Sequence, residues 1–597
     1  MKNDEYISGK GKNVLRSCLQ VEYNIRKCAF TPYTSCELSY SLNEIGAFEK
    51  LRWTLGTEWK LSKKHALDFY YLYQNKADDN EANGHVIGAG YSFKFSVGAA
   101  INIQSSKRVF VVCVDETTNI LTDGYSYTAT TDGEDMKACL FSEGQLIFSG
   151  GGSLTVTGNY KHAITSDDYV RFRSGCNITV ASAKKDGIHT NESVIIGGGI
   201  LNISSDSDAI QCEKGGITMT GGFAKLSTTD NKAHGLKSCL DVVISGGAIQ
   251  AQVAGSASKG ISCDGNLTIS GGKLTAFTSQ TALYEDNDLS SCAGIKCDGN
   301  ILITGGEIAI QSTGGAGKGI NCDGSITIND GTVKVITTGT QCVYGKLDSS
   351  AKGIKADGAL TINGGTVLVK ATGGEGSEGI ESKSVLTVNE GTVAALCCDD
   401  CMNASNSIVL NGGNIYCYSS GNDGIDSNGT LTITGGVIVS SGTTSPEDGF
   451  DCDQNTFKIT GGIVLGIGGG TSTPTSSVCT QRTVIYGGSG SNGELLNIQS
   501  ADGTSILTCQ IPRAYSQMTV LFSSPNLTSG GSYTISKGGT VSGGSEFFGL
   551  YSGATYSGGT QAATFTASSM VTQVGSTSGG GQPGGGGGGH GPGGWGW

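Results

Sequence analysis

Apolar and polar residues alternate in short runs along most of the chain, and the runs return on a fixed period. In Leu267-Thr268-Ile269 and again in Leu274-Thr275-Ala276 every second residue is apolar, the pattern of a strand with one buried face. These runs belong to a longer unit, GISCDGNLTISGGKLTA over residues 260–276. It returns as GIKCDGNILITGGEIAI (294–310), GINCDGSITINDGTVKV (319–335) and GIKADGALTINGGTVLV (353–369). A Gly-Ile pair, or Gly-Leu or Gly-Phe in its place, begins at 187, 235, 260, 294, 319, 353, 379, 424 and 449, with degenerate copies near Ala209 and Ala404. Spacings are mostly 21 to 26 residues, with two of 34, which is a solenoid period.

Each unit holds three strand-like runs separated by Asp-Gly and Gly-Gly turns, so three strands per coil are expected. Strands this short cannot close a sandwich by hairpins, and stacking coil on coil gives a parallel β-helix. The crossover rule makes it right-handed. About twelve coils rising ~4.8 Å each would form a rod roughly 60 Å long. A leucine-rich repeat would need a leucine consensus and an asparagine ladder, and neither is read here.

Stacking turns sequence positions into columns. One apolar column is expected to run Ile178, Val194, Ile217, Val242, Leu267, Ile301, Ile326, Leu360, Leu386, Ile408, Leu431 and Phe457. A second slot carries Cys212, Cys263, Cys297, Cys322 and Cys452, with Thr190, Ala356, Ser382 and Ser427 in the same place. Cysteine serves there as a small hydrophobe, and parallel stacked thiols do not suit disulfide geometry. Cys397, Cys398 and Cys401 have no second pair at zinc-site spacing and are read as structural.

The ends differ from the middle. Residues 1–97 hold five aromatic-rich runs of about ten residues in strict alternation, ending on Tyr91, Phe93 and Phe95, the pattern of membrane-barrel strands. This segment resembles the closing strands of an outer-membrane β-barrel of the uncharacterised kind found in Bacteroidetes; a soluble antiparallel cap is the rival reading. If barrel-like, it would associate the chain with an outer membrane. Residues 98–160 are expected to lead into and cap the helix, 161–470 to form it, and 471–575 to make a C-terminal β region or cap. The glycine-rich tail, 576–597, reads as disordered. The fold class is therefore all-β: a parallel β-helix with β caps and a short antiparallel barrel-like start.

Composition agrees and excludes some functions. Glycine accounts for 97 of 597 residues while proline accounts for 7, which fits many tight turns and excludes collagen. Thirty-nine basic against 52 acidic residues give a net charge of −13, the wrong sign for nucleic acid. No apolar run suits a transmembrane helix, and MKNDEYISGKGKN shows no apolar signal core. GGAGKG (314–319) looks like part of a phosphate loop, but no Ser or Thr follows Lys318.

The order NILTDGYSYTATTDGEDMKACLFSEGQLIFSGGGSLTVTGNYKHAI, then the DGI…GG coils, then GGSYTISKGG resembles a bacterial family of carbohydrate-binding domain-containing proteins over about residues 100–597. The resemblance implies a β-helix of the pectate-lyase-like superfamily that acts outside the cell or on its surface. It also implies binding of polysaccharide and calcium, and a monomer is expected.

Calcium needs converging oxygens. In NDGID (422–426) and EDGFD (447–451), Asp423 should sit one coil from Asp448, and Asp426 one coil from Asp451, at ~4.8 Å. The pattern also resembles the calcium site of family nine polysaccharide lyases, which implies the ligands Asp423, Glu447, Asp448 and Asp451. Solvated turn acids are the alternative. Weaker acidic sets are Asp186 above Asp168, and Asp206, Asp208 and Glu213. Lys259, Lys318 and Lys352 interrupt the acidic register in the middle coils, and Asp264, Asp298, Asp323 and Asp357 are read as turn formers.

For sugar, the two 34-residue coils offer loops at 278–291 and 337–350, expected roughly 10 Å apart. They carry Tyr284, Glu285, Asp286 and Asp288, and Tyr344, Lys346 and Asp348. A threonine face (Thr179, Thr218, Thr268, Thr327, Thr361, Thr387 and Thr432) is a second surface. Three functions follow: non-catalytic polysaccharide binding with calcium, a calcium-dependent pectate-type lyase, and a structural adhesin. A lyase needs a base near the ion; beyond Asp451 the nearest is Arg482, which argues against it.

Overall fold

A computed structural model of the chain describes residues 2–5, 11–23, 25, 28–41, 48–61, 65–76, 83–93, 98–127 and 136–577. Phe95 and the tail from 578 onward lie outside them. Among the described residues there are strands and no helices. The chain divides into two compact units, Met1–Ile101 with Thr122–Met136, and Asn102–Leu121 with Lys137–Trp597.

The larger unit is the expected parallel solenoid with three strands per coil. One coil comprises Lys259–Cys263, Leu267–Ile269 and Lys273–Thr278. The first strand of each coil joins a 14-stranded sheet, and the other two join a 29-stranded sheet. There are about thirteen coils, one more than the repeat suggests. Val109–Val112 already pairs in parallel with Leu146–Ser149, so stacking starts inside the segment read as a cap.

The apolar column from Val194 to Phe457 runs in unbroken register. Its earlier member is Val170, paired with Val194. Ile178 belongs instead to the neighbouring column, beside Leu201, because it lies in the third strand of its coil while Val170 occupies the second. The cysteine slot is also in register, from Thr190 through Cys212, Ser238, Cys263 and Cys297 to Cys322 and Ala356. None of the cysteines is joined in a disulfide.

An asparagine ladder is present, contrary to the sequence reading. Asn363 Nδ2 donates to Asn329 Oδ1 at 2.7 Å, Asn389 to Asn363 at 2.6 Å and Asn411 to Asn389 at 2.7 Å. The ladder marks a stacked turn, which solenoids of different kinds share. The turn beside it needs glycine. Gly272 has φ +82°, and a Cβ there would lie 2.7 Å from the Gly247 carbonyl of the preceding coil.

The C-terminal end is closed by antiparallel pairing. Tyr515–Ser523 lies between Ile463–Gly468 of the last coil and Thr483–Gly490. Leu496, Ile498, Tyr515, Met518, Tyr533 and Ile535 form the core of this cap, which covers an edge that would otherwise recruit another chain.

The smaller unit is a six-stranded antiparallel sheet in sequential order. Across it, Val21, Thr34, Leu55, Tyr71 and Ile87 are direct neighbours. Leu55 and Ile87 of that row are 66% and 88% exposed. Residues adjacent along the strands point the other way and are polar: Arg52 Nη1 meets Glu37 Oε1 at 3.3 Å and Arg52 Nε donates to Gln74 at 2.7 Å. The sheet thus has one apolar exposed face and one polar face.

Ile326 is fully buried between Ile301 and Leu360. Ile326→Ala is expected to cost about 2–5 kcal/mol by removing buried methyl groups and leaving a cavity, read as a lower urea midpoint. An unchanged midpoint would show that the column does not hold the coils together.

Candidate functional site

The chemistry-bearing side chains lie along the 14-stranded sheet, in two columns of each coil. The leading position, just before the Gly-Ile pair, holds in succession His162, Asp186, Asp208, His234, Lys259, Ala293, Lys318, Lys352, Glu378, Asp400, Asp423 and Asp448. Three residues on, a second column includes His189, Lys296, Lys355, Glu381, Asn403, Asp426 and Asp451.

The leading side chains bond to the next coil's backbone. The amide of Asp208 donates to Asp186 Oδ1 at 3.1 Å, that of His234 to Asp208 Oδ1 at 2.6 Å, and that of Lys259 to His234 Nδ1 at 3.0 Å. At the far end the Asp423 amide donates to Asp400 Oδ1 at 3.2 Å, and the Asp448 amide to Asp423 Oδ1 at 2.5 Å. These amides sit at a corner, and the acceptor side chain satisfies them. That hydrogen bonding fixes each carboxylate directly above another.

The two expected vertical pairs are both present. Asp426 and Asp451 are in register, and Asp423 and Asp448 are joined by the bond just given. One oxygen each from Asp423, Asp426 and Asp451 falls within 4.8 Å of the others. Asp448 is 5% exposed, and its Oδ1 has no hydrogen-bond partner. Asn403 Nδ2 donates to both Asp400 and Asp426 at 3.0 Å. Ser472 Oγ donates to Asp451 Oδ1 at 2.7 Å.

Among the described residues, no lysine or arginine forms an ion pair with Asp400, Asp423, Asp426, Asp448 or Asp451. Burial, then Asp451 and Asp453, pushes Asp426 up to about 8. Burial, then Asp451 and Glu447, pushes Asp448 up to about 8. Asp423 is also raised, by burial and then Asp400, and Asp400 by burial and then Asp426. Glu447 is raised by burial, then by Asp399 and Asp451, which places it in the same field. The sequence reading missed Asp400 and Glu378. Asp400 stands in the degenerate copy at Ala404, four residues before it, and the register was the available signal.

The middle of the column is neutralised internally. Lys352 Nζ lies 2.7 Å from Glu378 Oε1 and 3.7 Å from Glu381 Oε2. Lys318 donates to Ser349 Oγ at 2.9 Å and to the Ser350 carbonyl at 2.6 Å, and burial, then Lys352, pulls it down to about 7. Three of the outer aspartates are paired with lysine: Lys296 bonds Asp298 and, at 2.7 Å, Asp323, and Lys355 bonds Asp357. The weak acidic pair of Asp186 with Asp168 does not exist. The residue one coil before Asp186 is His162, whose Nδ1 accepts the Asp186 amide at 3.2 Å.

The two long loops form hairpins, Leu283–Glu285 with Asp288–Ser290 and Cys342–Tyr344 with Leu347–Ser349. They touch instead of standing ~10 Å apart. The rings of Tyr284 and Tyr344 stack at 3.7 Å and 21°, and Ser291 and Ser349 hydroxyls meet at 3.1 Å. Each tyrosine therefore spends one face on the other. Tyr344 stays 55% exposed, and Asp286, Asp288, Lys346 and Asp348 are exposed on the same two hairpins. Glu285 is paired with Lys232. The threonine face is interrupted by Val243, Leu302 and Val409, and Thr179 lies outside it beside Asn202.

Residues 75–341 and 335–424 match the family of carbohydrate-binding domain-containing proteins, more than half of the chain. The chain belongs to that family. Residues 6–85, a range that includes most of the antiparallel sheet's strands, match a second family described as a protein of unknown function (DUF2490). No curated protein and no solved structure matches the chain. As a carbohydrate-binding domain-containing protein, it presents two candidate surfaces, the tyrosine hairpins and the carboxylate cluster.

Asp426 and Asp448 bind protons in the folded state that the unfolded chain releases above about pH 4. Their contribution to stability is complete below that pH and is lost as pH rises through about 8. In chelator, the melting temperature should fall between pH 5 and pH 9. A flat profile in chelator would show that these acids do not face one another.

Proposed function

We propose that this protein binds acidic polysaccharide outside the cell or at its surface, through calcium held by Asp423, Asp426, Glu447, Asp448 and Asp451, without cleaving it. The observation that carries the reading is the carboxylate cluster without a basic partner, in a member of a carbohydrate-binding family. Buried acids stacked one coil apart repel unless protonated or bridged by a cation. All their donors are oxygens, which suits Ca²⁺, and the unpartnered Asp448 Oδ1 supplies a lone pair. When bound, the ion would neutralise the cluster and let a uronate carboxylate approach a surface that otherwise repels it.

Support for a non-catalytic role comes from the bases. Arg482 is taken up by Ser569 O at 2.5 Å and Ser529 Oγ at 2.6 Å. Lys352, the nearest lysine of the leading column, lies three coils from Asp423, roughly 14 Å at ~4.8 Å per coil, and is paired with Glu378. A relationship to the pectate-lyase-like superfamily is proposed for the scaffold alone. Tyr344, with Lys346 and Asp348 beside it, is proposed as the sugar platform, its free ring face stacking on a pyranose. The apolar face of the N-terminal sheet is proposed to contact the outer membrane and keep the solenoid at the surface.

The test is retention of polygalacturonate by the full chain with calcium or with chelator, while following absorbance of unsaturated uronate. Calcium-dependent retention without product is expected, and product would establish a lyase instead. Asp448→Asn with Asp451→Asn should remove one calcium-binding event in calorimetry and abolish calcium-dependent retention. Tyr344→Ala should weaken retention about three- to tenfold, or ~0.7–1.4 kcal/mol, with calcium binding unchanged. Retention indifferent to chelator and to both variants would overturn the reading.

A further inference from the structure

A further aromatic surface, outside both candidate sites, lies where the C-terminal cap folds over the solenoid. Strand Asn414–Ser419 points Tyr416 and Tyr418 outward, between the buried Ile415, Cys417 and Ser419. A cap hairpin, Ser545–Phe547 with Leu550–Ser552, lays Phe548 flat on Tyr416, with ring centroids 3.9 Å apart and planes 4° apart. Arg513, from the loop before Tyr515–Ser523, stacks over Tyr418 at 4.2 Å and donates from Nη2 to the Ser419 carbonyl. Tyr515 fixes that loop: it is 2% exposed, and its hydroxyl donates to the Gly442 carbonyl at 2.7 Å. Burial raises the Tyr416 hydroxyl and the Arg513 charge opposes it, so the guanidinium is felt at both tyrosines and the groups form one patch.

The bonds these groups leave unmade describe a ligand. Arg513 has no acidic partner among the described residues, in a chain of net charge −13. Its Nε is buried without a partner, and its Nη1 has none either and is open to water. Such a guanidinium favours a carboxylate, which it grips with two parallel bonds. The hydroxyls of Tyr416 and Tyr418 likewise have no partner among the described residues and reach solvent. Phe548 stays 46% exposed even with Phe547 against it at 5.1 Å and 82°. It does so at φ +45°, as the one aromatic among nine described non-glycine residues with positive φ, a conformation unfavourable to a bulky side chain. In register with the tyrosines stand Ala394, Leu396, Val439 and Ser441, all uncharged. Glu546, the acid of the hairpin, accepts the Gly549 amide.

We propose that Phe548, Tyr416, Tyr418 and Arg513 bind a carboxylated pyranose, one uronate unit of an acidic polysaccharide, without a metal ion. The Phe548 ring supplies the apolar platform, Arg513 takes the carboxylate, and the tyrosine hydroxyls bond the hydroxyls of the sugar. The inference rests on the acidic-polysaccharide reading for its substrate class and is independent of the calcium cluster for its chemistry. Ser419, whose carbonyl holds Arg513, precedes Asp423 by four residues, at most ~14 Å of extended chain, a span that one polysaccharide can bridge. The rival role is structural, with Arg513 only fastening the cap to the solenoid.

The experiment uses the full chain in chelator, titrated calorimetrically with trigalacturonate and with its methyl ester, the same sugar without charge. A Kd at or below about 1 mM is expected for the acid, with the ester bound at least about fivefold more weakly. Phe548→Asn, which suits the left-handed turn and removes the ring, should weaken binding of the acid at least about fivefold. Arg513→Gln should weaken it about tenfold and abolish the preference over the ester. If that variant misfolds, Phe548→Asn and the comparison of acid with ester in the parent still decide. Asp448→Asn with Asp451→Asn should bind trigalacturonate in chelator as the parent does. Calcium-dependent retention of polygalacturonate without any binding of trigalacturonate in chelator would sink this site alone. Acid and ester bound equally, or binding unaltered by both Phe548→Asn and Arg513→Gln, would also overturn the proposal and leave Arg513 as a fastening of the cap.

Discussion

Parallel stacking in strict register is the constraint on which the solenoid depends. Each coil bonds its amides to the coil beside it at about 4.8 Å, so every position is set against the same position of its neighbours. A side chain that packs well against a copy of itself is acceptable at any coil, and one that does not must be compensated at every coil. The apolar column from Val194 to Phe457 satisfies this by dispersion and exclusion of water. The cysteine slot does so with small volume, and the asparagine ladder by having each side-chain amide donate to the asparagine of the preceding coil. No disulfide is needed, since the stack itself supplies long-range order.

Charges are where stacking becomes costly, and the leading column shows three responses. In the middle coils opposite signs are set together, as in Lys352 with Glu378, or a lysine is capped by a hairpin, as Lys318 is by Ser349 and Ser350. Near the N-terminal end, histidines separate and contact aspartates. At the C-terminal end Asp400, Asp423 and Asp448 follow one another with no basic partner among the described residues. The same corner hydrogen bond that aligns the backbone forces these carboxylates together, so the fold itself concentrates the charge that a cation would neutralise.

The tyrosine hairpins follow from the same geometry. Two insertions at one corner, separated by a single ordinary coil, emerge side by side, and their rings satisfy each other before meeting any ligand. Stacking of this kind stiffens the pair, at the cost of half the aromatic surface that two independent loops would offer. The N-terminal sheet is governed by a different rule. Its strict alternation places Leu55 and Ile87 on one face and Arg52 and Glu37 on the other, and it closes no core of its own.

Residue order alone determined the solenoid, its three strands per coil, the apolar and cysteine columns and the vertical pairing of Asp426 with Asp451, because period and stacking are both one-dimensional. It also showed that Lys259, Lys318 and Lys352 interrupt the acids. It did not place Ile178, which lies in the third strand of its coil and so in the next column, nor set His162 beneath Asp186. Only the tertiary structure decided which acids lose water, which amides they accept and whether a lysine reaches them. The stacking of Tyr284 on Tyr344 and the cap closed by Tyr515–Ser523 were likewise settled there. Those outcomes depend on side-chain direction and on contacts across coils, and a repeat period fixes the height of a residue along the stack without fixing what its side chain faces.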